Sequence, residues 1–569
     1  MSTSDRRFVM NPVSLDRQRS VFNRNYQHKM TLEMGKLNLV SVQEVLPGDT
    51  FSVDLASVIR MGTPIAPIMD NIHCDFYAFF VPNRLTWDKW KEFNGESDTA
   101  WVSDEDYIEP QINLYASNGD VIGEDLPEIP ENYFDQAGIP IQQLCRAYAN
   151  SSDGVDISAL WLRGIQLIYN EYFRDENIID KVINLYYDSS NIQICLTEAD
   201  GGYDLDFYKT VDNVLVFNDV PGVTSLYSVA KFHDLFTSGL PAPQRGDAIE
   251  LPLGTTAPVI AVGQTGDQWA AGDAVGSVIL QDASVPGVNK PQSRLGFDGE
   301  GGIEGDILAD LSRATAASVN QLRLAFATQR YLEALARSGS RYIESLKGIF
   351  GVNAPNGLLQ RPEYLGGKRI RINIDQVLSH TEGSENELGE TGAYSLTNDK
   401  ASMYTKSFVE HGYVYIFAVI RQEHTYAQGI NKMFFRKNLL DRYVPQLANI
   451  GEVPVLEREL FVTGDSTKDE AVFSYNEAWY EYRFMPDYVS GKLNPINALS
   501  LKQWTLADEF ESAPTLSKEF IEENNNNLKR VLVLAPESGA PEFWADFFIK
   551  QKVAREMPLY SIPGLIDHH

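Results

Sequence analysis

The chain has 569 residues, with 48 Lys+Arg against 78 Asp+Glu and a formal net charge of -30. Hydrophobic residues at 43% and aromatics at 11% supply a large packed core and exclude global disorder, while the charge excludes a uniformly nucleic-acid-binding surface. Three cysteines, Cys74, Cys145 and Cys195, form no Cys-x-x-Cys pair, which argues against a disulfide framework or a cysteine zinc site and suits a reducing compartment.

Charge is partitioned along the chain. Residues 1–36 carry seven basic side chains against three acids, a net of +4, so the body carries -34. This N-terminal arm has no apolar signal-peptide region. It interleaves Arg6, Arg7, Arg17, Arg19, Arg24 and Lys29 with Phe8, Phe22 and Tyr26, a composition suited to phosphate contacts and base stacking on single-stranded nucleic acid. The competing reading is an arm whose arginines pair with the acidic surface of a neighbouring subunit.

From residue 37 the pattern is strand-like. Leu37–Val45 and the alternating Phe51–Leu55, separated by Pro47-Gly48-Asp49, read as an antiparallel pair with one face buried. The β-branched and aromatic runs Ile72–Val81 and Tyr413–Ile420 fit strands covered on both faces. Arg369–Ile374 alternates again, and Trp544–Val553 closes the series. The longest apolar run, Tyr413–Ile420, has eight residues, against roughly 18 for a membrane span, so no membrane insertion is expected.

Three acidic segments interrupt the strands: 95–135 with twelve acids and no basic residue, 185–220 with seven acids and one lysine, and 246–306 with nine acids and two basic residues. Like charge at that density stays hydrated, so all three are expected as surface excursions. Segment 246–306 also holds twelve glycines and reads as a long decorated loop. A helix is expected over about 310–346, with Leu324, Ala327, Tyr331 and Leu335 on one stripe, covering one end of a sandwich and breaking near Ser338-Gly339-Ser340. Strands at irregular spacing, long insertions and no repeating βα alternation point to a mainly β chain, a β-sandwich with a few helices.

No catalytic or cofactor signature is present: His-Glu-x-x-His, Gly-x-Ser-x-Gly and the phosphate-loop pattern are absent, and Gly366-Gly367-Lys368 is followed by Arg369 where Ser or Thr is needed. His73, His411 and His424 read as hydrogen-bonded core or rim residues, and Asp200, Asp204 and Asp206 lack an EF-hand's spacing. No cofactor, metal or enzymatic activity is expected.

Several stretches together carry a resemblance. They include Phe22-Asn-Arg-Asn-Tyr-Gln-His-Lys29, Leu46-Pro-Gly-Asp-Thr-Phe51, Phe236-Thr-Ser-Gly-Leu-Pro241 and Asn320-Gln-Leu-Arg-Leu-Ala-Phe326, and above all Leu359-Gln-Arg-Pro-Glu-Tyr-Leu-Gly-Gly367 and Tyr560-Ser-Ile-Pro-Gly-Leu-Ile-Asp567. In this order the chain resembles the major capsid proteins of the Microviridae, single-stranded DNA bacteriophages, closest to the gokushovirus branch. The resemblance implies an eight-stranded antiparallel viral jelly roll with long inter-strand insertions. It implies a basic arm over 1–36 and one capsid domain over 37–569 with insertions near 95–135, 185–220 and 246–306, the last forming a threefold protrusion.

It further implies sixty copies in a T=1 shell around circular single-stranded DNA on the inner face, a small basic DNA-binding virion protein, exposed loops that contact a host receptor, and assembly in the bacterial cytoplasm. The DNA-contacting candidates are Arg6, Arg7, Arg17, Arg19, Arg24, Lys29, Phe22 and Tyr26. Relatives commonly carry a basic cluster before the Phe-Thr-Ser stretch, whereas here only Lys231 stands there. The alternative is a β-sandwich carbohydrate-binding or glycoside-active protein.

Overall fold

A computed structural model describes residues 19–96, 108–116, 131–141, 143–144, 155–182, 188, 192–199, 202–211, 214–218, 225–247, 259–263, 305–309, 319–339, 341–378, 391–533 and 540–560. The chain divides into two compact units, Gln244–Ala334 and a larger one made of Met1–Pro243 with Leu335–His569.

The larger unit is built on two antiparallel sheets. Its strands are β1 (Ser20–Asn23), β2 (Tyr26–Leu32), β3 (Asn38–Val45), β4 (Thr50–Met61), β5 (Ile72–Pro82), β6 (Glu363–Arg371), β7 (Thr397–Ser407), β8 (Gly412–Gln422) and β9 (Phe543–Arg555). In one sheet β9 lies between β4 and the two short strands β1 and β2, and β7 closes the far edge. In the other the order is β6, β5, β8, β3. Between the sheets lies a continuous apolar core, with Phe51, Val53, Leu55 and Ile59 of β4 and Phe543, Phe547 and Ile549 of β9 facing Cys74, Phe76 and Phe80 of β5 and Val414, Ile416 and Ile420 of β8. The mainly β architecture and the sandwich expected from the alternation are therefore present.

The pairing of residues 37–45 with 51–55 is not. Strand β3 pairs with β8, Val45 opposite Gly412, while β4 pairs with β9 and β7. The Pro47-Gly48-Asp49 turn carries the chain from one sheet to the other. Alternation reports which side chains face the core, and two strands on opposite walls of one core alternate just as hairpin partners do. The turn is tied down by Asp49, whose carboxylate accepts from Leu46 N at 2.9 Å and from Arg555 Nη2 at 2.6 Å, and by Gly48 at φ +89°, donating to Phe408 O at 2.8 Å.

Strands β5 and β8 are covered on both faces, as their unbroken apolar runs imply. Their second face, with Phe79, Val81, Tyr415, Phe417 and Val419, packs under helix α1 (Leu160–Ile168) and the segments carrying Tyr133, Phe134, Tyr227 and Val229. Helix α1 approaches closely because Gly164 sits over Tyr415: a Cβ there would lie 2.1 Å from the Tyr415 hydroxyl, which donates to Trp161 O at 2.8 Å. A third cluster gathers Tyr426, Val455, Leu460, Phe473 and Phe520 of the long connection between β8 and β9 with Phe236 from the segment between β5 and β6.

Two of the acidic segments contribute to one sheet. Gln111–Ala116 pairs in parallel with Ile192–Ala199, which continues antiparallel to Gly202–Val211 and Val214–Asn218, while Val155–Ser158 forms the other edge. Along the sequence a period-two apolar pattern, Ile192, Ile194, Leu196, then Leu205 and Phe207, runs through this acidic stretch and favours strands. In the smaller unit Val259–Gly263 pairs with Gly305–Ala309.

The expected helix runs as two, Val319–Ser338 and Tyr342–Phe350, interrupted at Gly339 with φ +95°. The second is entered through Arg341, whose backbone N–H donates to the Glu344 carboxylate at 3.2 Å. Leu324, Phe326 and Tyr331 are exposed, so this stripe is not core within the single chain. Among the described residues no helix is long and apolar enough to cross a membrane.

Candidate nucleic-acid interface

Arg6, Arg7 and Arg17 lie outside the described residues. Of the rest of the arm, β1 and β2 lie along β9 as one strand broken at Arg24 and Asn25: Asn23 is opposite Lys552, Tyr26 is opposite Ile549, and between them Arg24 N donates to Gln551 O at 2.8 Å. Period two then sorts the side chains. Phe22, opposite Val553, and Tyr26, opposite Ile549, are on the core side. Tyr26 packs against the sandwich core with its hydroxyl 2.5 Å from Ser41 Oγ, and burial pushes that hydroxyl above its usual range, so this ring is engaged as a wall of the core.

Of the charged candidates, Lys29 alternates to the other side, whereas Arg24 lies on the side of Tyr26, both reaching Gln43. Arg19, Arg24 and Lys29 are exposed. Arg19 donates to Gly48 O, and Arg24 Nη2 donates to Gln43 Oε1 at 2.8 Å. Lys29 stands opposite Asp546, on the outer face of the sheet.

That outer face extends well beyond the arm. Strand β9 alternates strictly: Phe543, Ala545, Phe547, Ile549, Gln551 and Val553 are buried, whereas Trp544, Phe548, Lys550 and Lys552 are exposed. By register, Trp544 is opposite Arg60, Phe548 opposite Ala56, Lys550 opposite Asp54 and Lys552 opposite Ser52 of β4. Lys400 of β7 is opposite Ala56 from the other side. Hydrogen bonds from Thr405 Oγ1 to Ser52 Oγ, 3.1 Å, and between Thr50 and Ser407 hydroxyls, 2.8 Å, place these outward side chains on one face.

The face thus carries five cations, Lys29, Arg60, Lys400, Lys550 and Lys552, against two carboxylates on its own strands, Asp54 and Asp546, and a third, Glu131, that accepts from the outward Thr31 hydroxyl. Among the described residues, none of the five has a carboxylate within ion-pair distance. Trp544 is 45% and Phe548 40% exposed. Sequence reading centred on the arm missed these residues, because Trp544–Val553 reads only as a strand until its partners identify which alternate set faces outward.

The remaining singled-out residues have structural partners. His424, 8% exposed, lies between Asp508, 2.9 Å from Nδ1, and Glu523, 3.1 Å from Nε2. Burial disfavours its cation, but the two carboxylates outweigh this and raise its pKa to about 9. Lys231 is buried, its ammonium 4.8 Å from the centre of the Phe520 ring. His73 Nε2 is 2.9 Å from Glu423 Oε1. Asp75, buried on β5, is clamped by Arg369, 2.6 Å from Oδ1, and Arg421, 2.6 Å from Oδ2; burial alone would raise its pKa, and the two guanidiniums hold it below the usual carboxylate range. Both guanidiniums stack on Phe232, at 4.3 and 4.2 Å. These groups are engaged by fixed partners within the fold.

Comparison with known proteins gives the chain its place. Residues 13–565 match the family described as Capsid protein (F protein). The chain is 35% identical to Capsid protein VP1 of Bdellovibrio phage phiMH2K over 97% of its own length and 96% of that protein. It is 31% identical to Capsid protein VP1 of Chlamydia phage 1, covering 99% and 98%, and 32% identical to Capsid protein VP1 of Spiroplasma virus 4, covering 94% and 92%. With a family model over nearly the whole chain and three such relatives matched nearly end to end, the chain belongs to the capsid protein (F protein) family, as a major capsid protein of the Microviridae type.

Proposed function

We propose that this protein is the single jelly-roll subunit of a T=1 shell of sixty copies that encloses circular single-stranded DNA. The observation that carries the reading is the strand order. Counting β1 and β2 as one interrupted strand, the sandwich has eight strands, divided between the sheets as 1-8-3-6 and 2-7-4-5 when numbered in chain order. That is the order produced when a long antiparallel hairpin is rolled up into two facing sheets, the jelly roll of viral capsids.

Assembly is supported by exposed apolar side chains in the connection between β8 and β9, among them Phe434, Leu439, Leu440, Tyr443 and Ile450. A monomeric protein rarely leaves so many large apolar groups in water, and closed symmetry buries them in many modest interfaces. The arm, through Arg19, Arg24 and Lys29, contacts the DNA from the inside, supported by its +4 charge in a chain of net -30. A small basic virion protein neutralises the rest of the genome. The Gly-rich acidic segment 246–306 protrudes near the threefold axes and meets the host receptor, and assembly takes place in the bacterial cytoplasm.

Electron cryomicroscopy of the protein expressed alone and recovered from infected cells tests this. The expected result is uniform closed shells of sixty subunits, with density for the arm on the inner wall of filled particles. Stable monomers that bind glycans would replace this reading with the carbohydrate-binding one.

A further inference from the structure

We infer that the outer face of the sheet formed by β2, β9, β4 and β7 is a stacking platform for single-stranded DNA, with Trp544 and Phe548 as base-contacting rings and the surrounding cations as phosphate contacts. This rests on the shell reading and goes beyond the arm, because most of the residues involved come from the end and the middle of the chain.

Three observations converge on it. Trp544 and Phe548 stand four residues apart on one strand, both outward, which separates their rings by about 13 Å along a straight row. Exposed aromatics on an open sheet, flanked by Lys and Arg, are what sequence-tolerant single-strand binders use: every base offers a π-face, and every phosphate a charge. The five cations of the face lack ion-pair partners among the described residues, although the chain has thirty acids more than bases. Excess positive charge gathered on one surface of so acidic a protein repels itself unless a polyanion is placed against it.

The chemistry also discriminates between occupants. A second copy docking here would desolvate five cations against only the two rings and Val58 as apolar reward, whereas protein interfaces deplete lysine from their centres. A small basic protein would meet like charge. Single-stranded DNA supplies both complements at once, and Lys29 on β2 makes the platform continuous with the arm.

Ultraviolet cross-linking of filled particles followed by peptide mass spectrometry reads the contact directly. The expected adducts fall on the peptide containing Trp544 and Phe548. Adducts found elsewhere on the protein, with none on this peptide, overturn the proposal.

Full-length Lys550→Gln/Lys552→Gln and Trp544→Ala/Phe548→Ala proteins are then titrated with fluorescein-labelled oligothymidylate. The aromatic variant is expected to lose at least tenfold in affinity, since stacking is worth about 1–3 kcal/mol per base. The lysine variant, which changes only solvent-exposed side chains, should lower the slope of log K against log salt by about 1.4, for two phosphate contacts at about 0.7 each. Unchanged affinity and slope in folded variants overturn the platform, as does intact oligonucleotide binding combined with loss of shells, which assigns the face to a neighbouring copy. If the unsubstituted protein forms shells that retain DNA while the variants bind and package equally well, the platform fails and the shell reading stands. If the unsubstituted protein forms no shells, the shell reading itself fails.

Discussion

The two sheets of the sandwich share one core and differ in what their other faces meet. Behind β5 and β8 lie helix α1, Tyr133, Phe134, Tyr227 and Val229, so these strands are apolar on both sides. Behind β9 and β4 there is no such layer among the described residues: every second residue is buried, the alternate ones are partly or fully exposed, and these include Trp544, Phe548 and lysines. One sheet has been turned into an interior layer by the insertions, and the other has been left as a surface. An insertion that buries a sheet face converts it to a stability element, whereas a face left open and furnished with rings and charges remains available for a ligand.

The contrast is tested first where it predicts the largest effect. Phe79→Ala removes a fully buried ring that touches Tyr172, Phe173, Tyr364 and Phe417, and should cost about 3–5 kcal/mol in denaturant unfolding of the subunit. Asp75→Asn, on the same strand, leaves Arg369 and Arg421 facing a neutral amide and should cost about 3 kcal/mol at neutral pH. Because the folded-state pKa of Asp75 is depressed, its contribution is present above the unfolded carboxylate value and fades as pH falls through the folded one. The variant should therefore flatten the acid limb of a stability–pH profile.

His424, just past the end of β8, makes the opposite prediction. Its folded pKa of about 9 lies above the unfolded 6.5, so its stabilisation is complete below 6.5 and is lost as pH rises through 9, on the order of 3 kcal/mol in all. His424→Gln should remove that alkaline decline, read from melting temperatures across the window.

Gly164→Ala drives a methyl into the Tyr415 hydroxyl and should cost about 1–3 kcal/mol, a defect specific to the sheet face on which a helix is packed. The smallest effect is the sharpest for the comparison: Trp544→Ala should change subunit stability by less than about 1 kcal/mol, since a half-exposed ring on an uncovered face contributes little to the core. A cost as large as that of Phe79→Ala would mean that the face is not open in the folded protein.

Much of this was legible from residue order. Unbroken apolar runs identified β5 and β8 as doubly buried, alternation identified β4 as half-buried, and Ser338-Gly339-Ser340 marked the break between two helices. The single histidine between strands read as a held core residue, and His424 is held by two carboxylates. Tyr26 shows where such reading ends: a ring among arginines looks available for stacking, yet its position opposite Ile549 turns it into the core.

What the chain's order determined by itself is local: period, burial of one or two faces, turn positions, and the separation of a basic arm from an acidic body. These follow from spacing along the backbone, which sets side-chain direction before any partner is chosen. Partnership was decided only by the tertiary structure. Residues 37–45 and 51–55 lie on opposite sheets, strands from two distant acidic segments share one sheet, and Lys29, Arg60, Lys400 and Lys550 meet on one face from four separate strands. Strand pairing is a competition among all edges of the chain, won by the arrangement that buries the most apolar surface, and nothing in a strand's own period names its neighbour.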